Sequence, residues 1–175
     1  MTDIFEEIVS HWLFSQGYFV INNLKVGVNE IDILAVKIEK GMVVKKLHIE
    51  VQCSSNPIGY IGGNSSAKIR SKKEIEQGVN GYVHKKFYSP KIKKVVESLL
   101  GDNYDKWFIC GVLKDGTTIE IFKKHQIKVK RIWEIIDEFK KAKIGDNKFC
   151  GTAQGNRYNQ FLLLSEKPAG TGLAL

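Results

Sequence analysis

Cysteine is scarce in these 175 residues, and the three present, Cys53, Cys110 and Cys150, are far apart, with no Cys-x-x-Cys pair and no histidine at zinc spacing. A disulfide scaffold and a zinc finger are therefore excluded, and a reduced, cytoplasmic chain is expected. No apolar run approaches the roughly 20 residues of a membrane span. The start, Met-Thr-Asp-Ile-Phe-Glu-Glu, is acidic where a signal peptide would be basic, so no membrane partner is expected. Internal repeats are absent, and so is a helix-turn-helix, which leaves no sequence-specific DNA reader to point to. His11, His84 and His125 show no spacing that suggests metal ligation.

What is present is basic charge and one core's worth of apolar residues. Lys and Arg number 27 against 19 Asp and Glu, a net charge of +8, and 43% of the chain is hydrophobic. Such a length and composition predict a single domain, and the positive excess asks which polyanion the protein meets. A lysine-rich surface kept only for solubility is the competing reading. Residues 1–143 read as the domain. Residues 144–175 change character, with Gly, Asn and small residues around Tyr158 to Leu164, and read as a partly helical extension with a loose end.

The order of elements predicts an α/β fold, a central mixed sheet flanked by helices in the order αβββαβ. Thr2 can cap a helix with Ile4, Phe5, Ile8, Val9, Trp12 and Leu13 at helical spacing, ended by Gly17. Tyr18 to Leu24 reads as a strand. Two further strands follow, joined by a hairpin through Ile38 to Met42 with Glu-Lys-Gly at its tip. After Cys53 comes a Gly- and Ser-rich loop to Ser66, then a basic helical stretch from Ala67 to Phe87 and a helix opened by Pro90 and running to Leu100. Trp107 to Leu113 reads as a strand returned by Asp115-Gly116 as a second one over Thr117 to Phe122. Ile127 to Val129 and the helix Ile132 to Lys143 close the domain.

The informative stretch is Gly27 to Cys53, where carboxylates sit inside strands that otherwise want burial. Side chains alternate along a strand, so His48, Glu50 and Gln52 share one face, and Glu30 and Asp32 share another. The hairpin sets the two strands side by side, where Asp32 and Glu50 can meet. Two ionised carboxylates brought together raise one another's pKa unless a cation lies between them, and a hard dication such as Mg²⁺, with Mn²⁺ as substitute, meets that need. Exposed carboxylates on a solvated sheet face are the alternative. Glu30 reads as a solvent-exposed strand start, and His48 as a packed strand histidine.

Asp32 and Glu50-Val51-Gln52, preceded by a helix bearing Glu6 and ending Leu13-x-x-x-Gly17, resemble the PD-(D/E)xK nuclease superfamily, closest to archaeal Holliday-junction resolvases and Mrr-type restriction nucleases. The likeness covers about Asp3 to Ser54. Two positions depart from it: Ile31 replaces the motif's proline, and Gln52 replaces its usual lysine. The resemblance implies a restriction-endonuclease-like core and a Mg²⁺-dependent DNA endonuclease. Asp32 and Glu50, with the Val51 carbonyl, would ligate the metal. Gln52 would aim the attacking water, and Glu6 would hold a water or a second ion. Glu6 is equally explained as a first-turn carboxylate favoured by the helix dipole.

Lys68, Arg70, Lys72 and Lys73 are the expected DNA-backbone contacts, or else a solvated helix face. Gln77 with Tyr82 loosely matches a helix motif of some related nucleases with one residue too many between them, and reads as helix surface. Cutting both strands would need two sites, which a homodimer supplies. The rival reading is a weak or inactive nucleic-acid-binding module of the same fold, with Gln52 marking lost catalysis, or a subunit of a restriction or repair assembly.

Overall fold

Two tight turns bring the first three strands together. In the computed structural model, which describes residues 4–53, 71–111 and 116–143, helix α1 (Ile4–Ser15) buries Ile8, Val9, Trp12 and Leu13, a single helical stripe. Gly17 follows its end at φ +83, the left-handed conformation that glycine adopts without a Cβ penalty. Thr2, the expected cap, lies outside the described residues. Strands β1 (Tyr18–Val26), β2 (Asn29–Glu39) and β3 (Met42–Gln52) form an antiparallel meander. Its second hairpin closes on Lys40 and Gly41 at φ +51 and +78, the paired left-handed residues of a type I′ turn.

The chain then crosses over. Ser71 caps helix α2 (Lys72–Val83) in a reciprocal capping box with Glu74. A π-helical turn (His84–Tyr88) follows, and then helix α3 (Pro90–Leu100), with proline in its first turn. Strand β4 (Asp105–Cys110) pairs parallel to β3, and strand β5 (Ile127–Arg131) parallel to β4. The sheet is five-stranded and mixed, in the order β1-β2-β3-β4-β5. The protein is thus of the α/β class, with helices flanking a central sheet.

One expected strand is a helix. Residues Gly116–Lys124 form helix α4 where a returning strand over Thr117 to Phe122 was expected. Its Thr-Thr-Ile-Glu-Ile-Phe sequence alternates, but Thr118, Ile121 and Phe122 are the buried residues, spaced i, i+3, i+4 as on a helix. Topology decides between the two periods. Because β5 runs parallel to β4, the chain must cross back over the sheet, and such crossings need a dozen or so residues, usually a helix. Residues 112–115, including the expected turn residue Asp115, lie outside the described set.

Apolar clusters fix the helices to the sheet. On the face that carries His48 and Glu50, Phe108 stacks on Phe122 of α4 at 4.3 Å. Ile75, Val79, Val83 and Phe87 from α2 and the π turn complete that cluster. Ile92, Val96 and Leu100 of α3 pack on Val26 and Leu34 nearer β1. Trp12 of α1 meets Trp107 of β4 at 6.2 Å. Among the described residues no helix is long and apolar enough to cross a membrane. Internal contacts divide the chain into residues 1–135 and residues 136–175, and the sheet with α1 to α4 belongs to the first unit. Of the second, the described part is the end of helix α5 (Ile132–Lys143). The extension expected over 144–175 is outside the described residues.

Candidate functional site

Register places the two acids together. Ile33 pairs with Ile49 and Leu34 with His48 across β2 and β3, so Asp32 falls opposite Glu50 and their side chains leave on the same face. The ladder's last pair at this end is Ile33 with Ile49. Beyond it the Val51 N–H donates instead to Asp32 Oδ2 at 2.8 Å, so a carboxylate takes the place of a backbone acceptor. Both acids are withdrawn from water, Asp32 at 7% exposure and Glu50 at 0%.

A lysine from the crossover stands between them. Lys86, in the π-helical turn, donates to Asp32 Oδ1 at 3.0 Å and to the Glu30 carbonyl at 3.3 Å. Its Nζ lies 2.5 Å from Glu50 Oε2. That ion pair is the shortest of the three contacts. Glu50 Oε1 is held by His48 Nε2 at 3.0 Å. The His48 ring is buried against Phe87, with centroids 4.9 Å apart.

Burial and like charge govern the ionisation of this group. Burial, with the neighbouring Glu50 charge, raises Asp32 to about 6 against the partial opposition of Lys86. Burial likewise raises Glu50 to about 7, although Lys86 pulls it down. His48 is pushed down to about 3, mainly by burial. It is therefore neutral near pH 7, and its bond to Glu50 is a hydrogen bond rather than a salt bridge. Burial works against the Lys86 charge, but Glu50 and Asp32 outweigh it and hold its pKa above the ordinary lysine value. The site is thus a fixed ammonium between two carboxyls that ionise only near neutrality.

The other expected residues are placed differently. Glu6, half-buried on α1, accepts from Asn23 Nδ2 at 2.7 Å. Asn22 pairs with Ile33 and Leu24 with Ile31, so Asn23 is the β1 residue opposite Asp32; Glu6 is tied to that strand from a helix that packs through Trp12 on Trp107, on the sheet face opposite Glu50. Gln52 ends β3 on the Glu50 face and is partly exposed. Glu30 forms an exposed pair with Lys25 at 2.5 Å, in keeping with a solvated strand start. Lys72 and Lys73 are exposed in the first turn of α2, while Lys68 and Arg70 lie outside the described residues. Cys110 is a free thiol. Among the described residues no group of three or more His, Cys, Asp or Glu is gathered to hold a metal.

Two site residues escaped the sequence reading. Lys86 counted there only as part of a basic run, and Tyr82 as helix surface. The Tyr82 hydroxyl is in fact buried without a hydrogen-bond partner. Burial, then the Glu50 and Asp32 charges, push it well above the ordinary tyrosine range. Both residues carried a signal: Ile75, Val79, Tyr82 and Lys86 follow one another at i+4, i+3 and i+4, so a lysine occupies the stripe that faces the sheet.

No family model matches this sequence, and no curated protein matches it. The crystal structure of a protein of unknown function, AF1548, aligns over 83% of this chain and 73% of its own, with a TM-score of 0.48 and 15% identity.

Proposed function

We propose that this protein is a Mg²⁺-dependent DNA endonuclease with a restriction-endonuclease-like core, hydrolysing phosphodiester bonds by attack of water. The observation that carries the proposal is the pair of buried carboxylates, Asp32 and Glu50, which adjoining strands turn toward the same Lys86 ammonium. Buried titratable groups with strongly shifted pKa values and a specific charge partner cluster at functional sites.

The donor set suits a hard dication. Asp32 and Glu50 offer carboxylate oxygens that the Lys86 ammonium alone does not neutralise. The Val51 N–H already reaches Asp32, and in an extended strand the carbonyl of the same residue leaves on the same edge. Two carboxylates and a carbonyl, with waters completing the shell, is a Mg²⁺ pattern; zinc would ask for histidine or cysteine. When bound, such an ion would acidify a coordinated water and offset charge on the phosphate.

The remaining roles belong to the chain. Lys86 supplies the fixed positive charge that the Gln52 position lacks, and donates to a phosphate oxygen as negative charge grows there. Gln52 can orient water by hydrogen bonding but cannot exchange a proton usefully near pH 7. Neutral His48 fixes the rotamer of Glu50. Lys72 and Lys73, with Lys68 and Arg70, supply backbone contacts to DNA. One observation favours the rival reading of an inactive binding module: Lys86 already neutralises part of the acid pair, as a purely structural ion pair would.

Labelled duplex, branched and single-stranded DNA, incubated with Mg²⁺ or Mn²⁺ and with chelator, decides between the two. Metal-dependent cleavage by the parent protein is expected, lost in Asp32→Ala and Glu50→Ala while DNA binding persists. Binding without cleavage under either metal would establish the module instead.

A further inference from the structure

In a parallel set of strands, residues in register share a face. Glu50 pairs with Phe108 and Phe108 with Val129; two residues further on, Gln52 pairs with Cys110 and Cys110 with Arg131. Gln52, Cys110 and Arg131 therefore form a row across the carboxyl ends of β3, β4 and β5, on the face that carries the acid pair. Val129 packs against the cluster of Phe108 and Cys110, which confirms the face. Carboxyl ends of parallel strands are where open α/β sheets meet their ligands.

Arg131 is the outermost member of this row and is exposed. It is the one arginine among the described residues, where every other strong base is lysine. Its charge reaches Cys110, whose thiol burial pushes up to about 12 while Arg131 pulls it back. Glu134 accepts from the Arg131 backbone N–H at 3.4 Å, and among the described residues the guanidinium enters no ion pair. The Cys110 thiol is already directed to the Lys130 carbonyl at 3.8 Å. The row thus ends in a planar, permanently charged group with donors that the fold leaves unspent. Such a group is suited to two oxygens of one phosphate.

We infer that Arg131 forms a phosphate subsite at the carboxyl end of β5, which grips the backbone of a nucleic-acid strand laid across the sheet from the acid pair. This rests on the nuclease reading above. Strands lie about 4.8 Å apart, so two steps from β3 to β5 span roughly 10 Å, or about three base steps at 3.4 Å each. Arg131 then holds a phosphate about three nucleotides from the one cut and contributes affinity and register without reading sequence.

The test uses the full chain with Asp32→Asn, which should retain substrate without cutting it, and measures fluorescence anisotropy of a labelled duplex over a range of salt. Adding Arg131→Ala is expected to weaken binding roughly tenfold at low salt and to make the slope of log affinity against log salt shallower by about one. Arg131→Lys should keep the slope and lose part of the affinity. Arg131→Gln, close in length and polarity, should repeat the alanine slope and so set aside a folding defect. Unchanged slope and affinity in both neutral variants, with the Asp32→Asn parent binding DNA, would overturn the subsite and leave the nuclease reading standing. A parent that binds no nucleic acid would overturn both.

Discussion

Replacing Lys86 with Met keeps the apolar stem in place and removes only the charge between Asp32 and Glu50. The consequence depends on pH in a calculable way. Folding raises the two carboxyls from 3.8 to about 6 and from 4.5 to about 7. A carboxyl raised on folding holds its proton more tightly in the native state, so its contribution is fully present at low pH and is lost as pH rises through the folded value. Without Lys86 both folded values rise further, and the loss becomes deeper and extends to higher pH.

The size of the effect has a ceiling. At pH 8.5 the variant can escape two unbalanced buried charges by retaining a proton on Glu50. From a value of about 7 this costs about 2 kcal/mol, at about 1.4 kcal/mol per pH unit. Lys86 is one-fifth exposed, which lowers the 3–5 kcal/mol typical of a broken buried pair toward the same figure. We therefore expect about 2–3 kcal/mol of destabilisation at pH 8.5, or a fall in Tm of roughly 5–10 °C for a chain of this size. Near pH 5 wild-type Asp32 and Glu50 are already largely protonated, and the difference should be under about 1 kcal/mol by the same linkage. Thermal melts followed by circular dichroism at the two pH values give the comparison. An equal loss at both, or no loss at pH 8.5, would refute the electrostatic account and reduce Lys86 to a packing residue.

Two further outcomes follow from the same site. Lys86→Met should abolish cleavage, and adding Gln52→Lys should restore a measurable part of it, because residue 52 lies on the Glu50 face; Gln52→Lys alone should cleave at least as well as the parent. No rescue in cleavage assays at saturating Mg²⁺ would mean that the two positions are not interchangeable. Apparent Mg²⁺ affinity, read by isothermal titration calorimetry, should strengthen between pH 6 and pH 8 as carboxyls near 6 and 7 give up protons to make room for the ion, and a flat profile would count against ligation by this pair.

Much of the acid pair was within reach of the sequence, because strand alternation assigns faces and a turn with glycine at its tip joins β2 to β3. The turn alone, pairing Glu39 with Met42, would set Asp32 opposite Ile49; a one-residue shift between Lys37 and Ile38 is what brings Asp32 opposite Glu50 on one face. Lys86 could not be found by the same rules, since its place is set by how far the crossover travels before the chain turns back. The motif's gap at Gln52 also drew attention to the strand, although the charge arrives from a helix. Its trace was a lysine on the inward stripe of an apolar helix, outweighed by the surrounding basic run. The error over Thr117 to Phe122 has the same origin. Alternating residues satisfy a strand locally, and only the parallel pairing of β5, a long-range fact, requires a helix there.

Charge balance is the ground for proposing an ion-binding site here in preference to a structural bridge. With His48 neutral, Asp32 and Glu50 together carry two negative charges when ionised, and Lys86 returns one. A bridge built only for stability would close that difference, since unbalanced buried charge is costly. Burial, joined at Asp32 by the Glu50 charge, lifts the acids to about 6 and 7 although an ammonium lies within 3.0 Å of each, so one ammonium does not offset what both acids lose in leaving water. A second cation would relieve the deficit, and a proton is what the pair takes when none is present. The π-helical turn fits the same logic. Such turns are rare and frequently found at functional sites. In this one adjacent residues both point inward, Phe87 to seal the core and Lys86 to reach the acids.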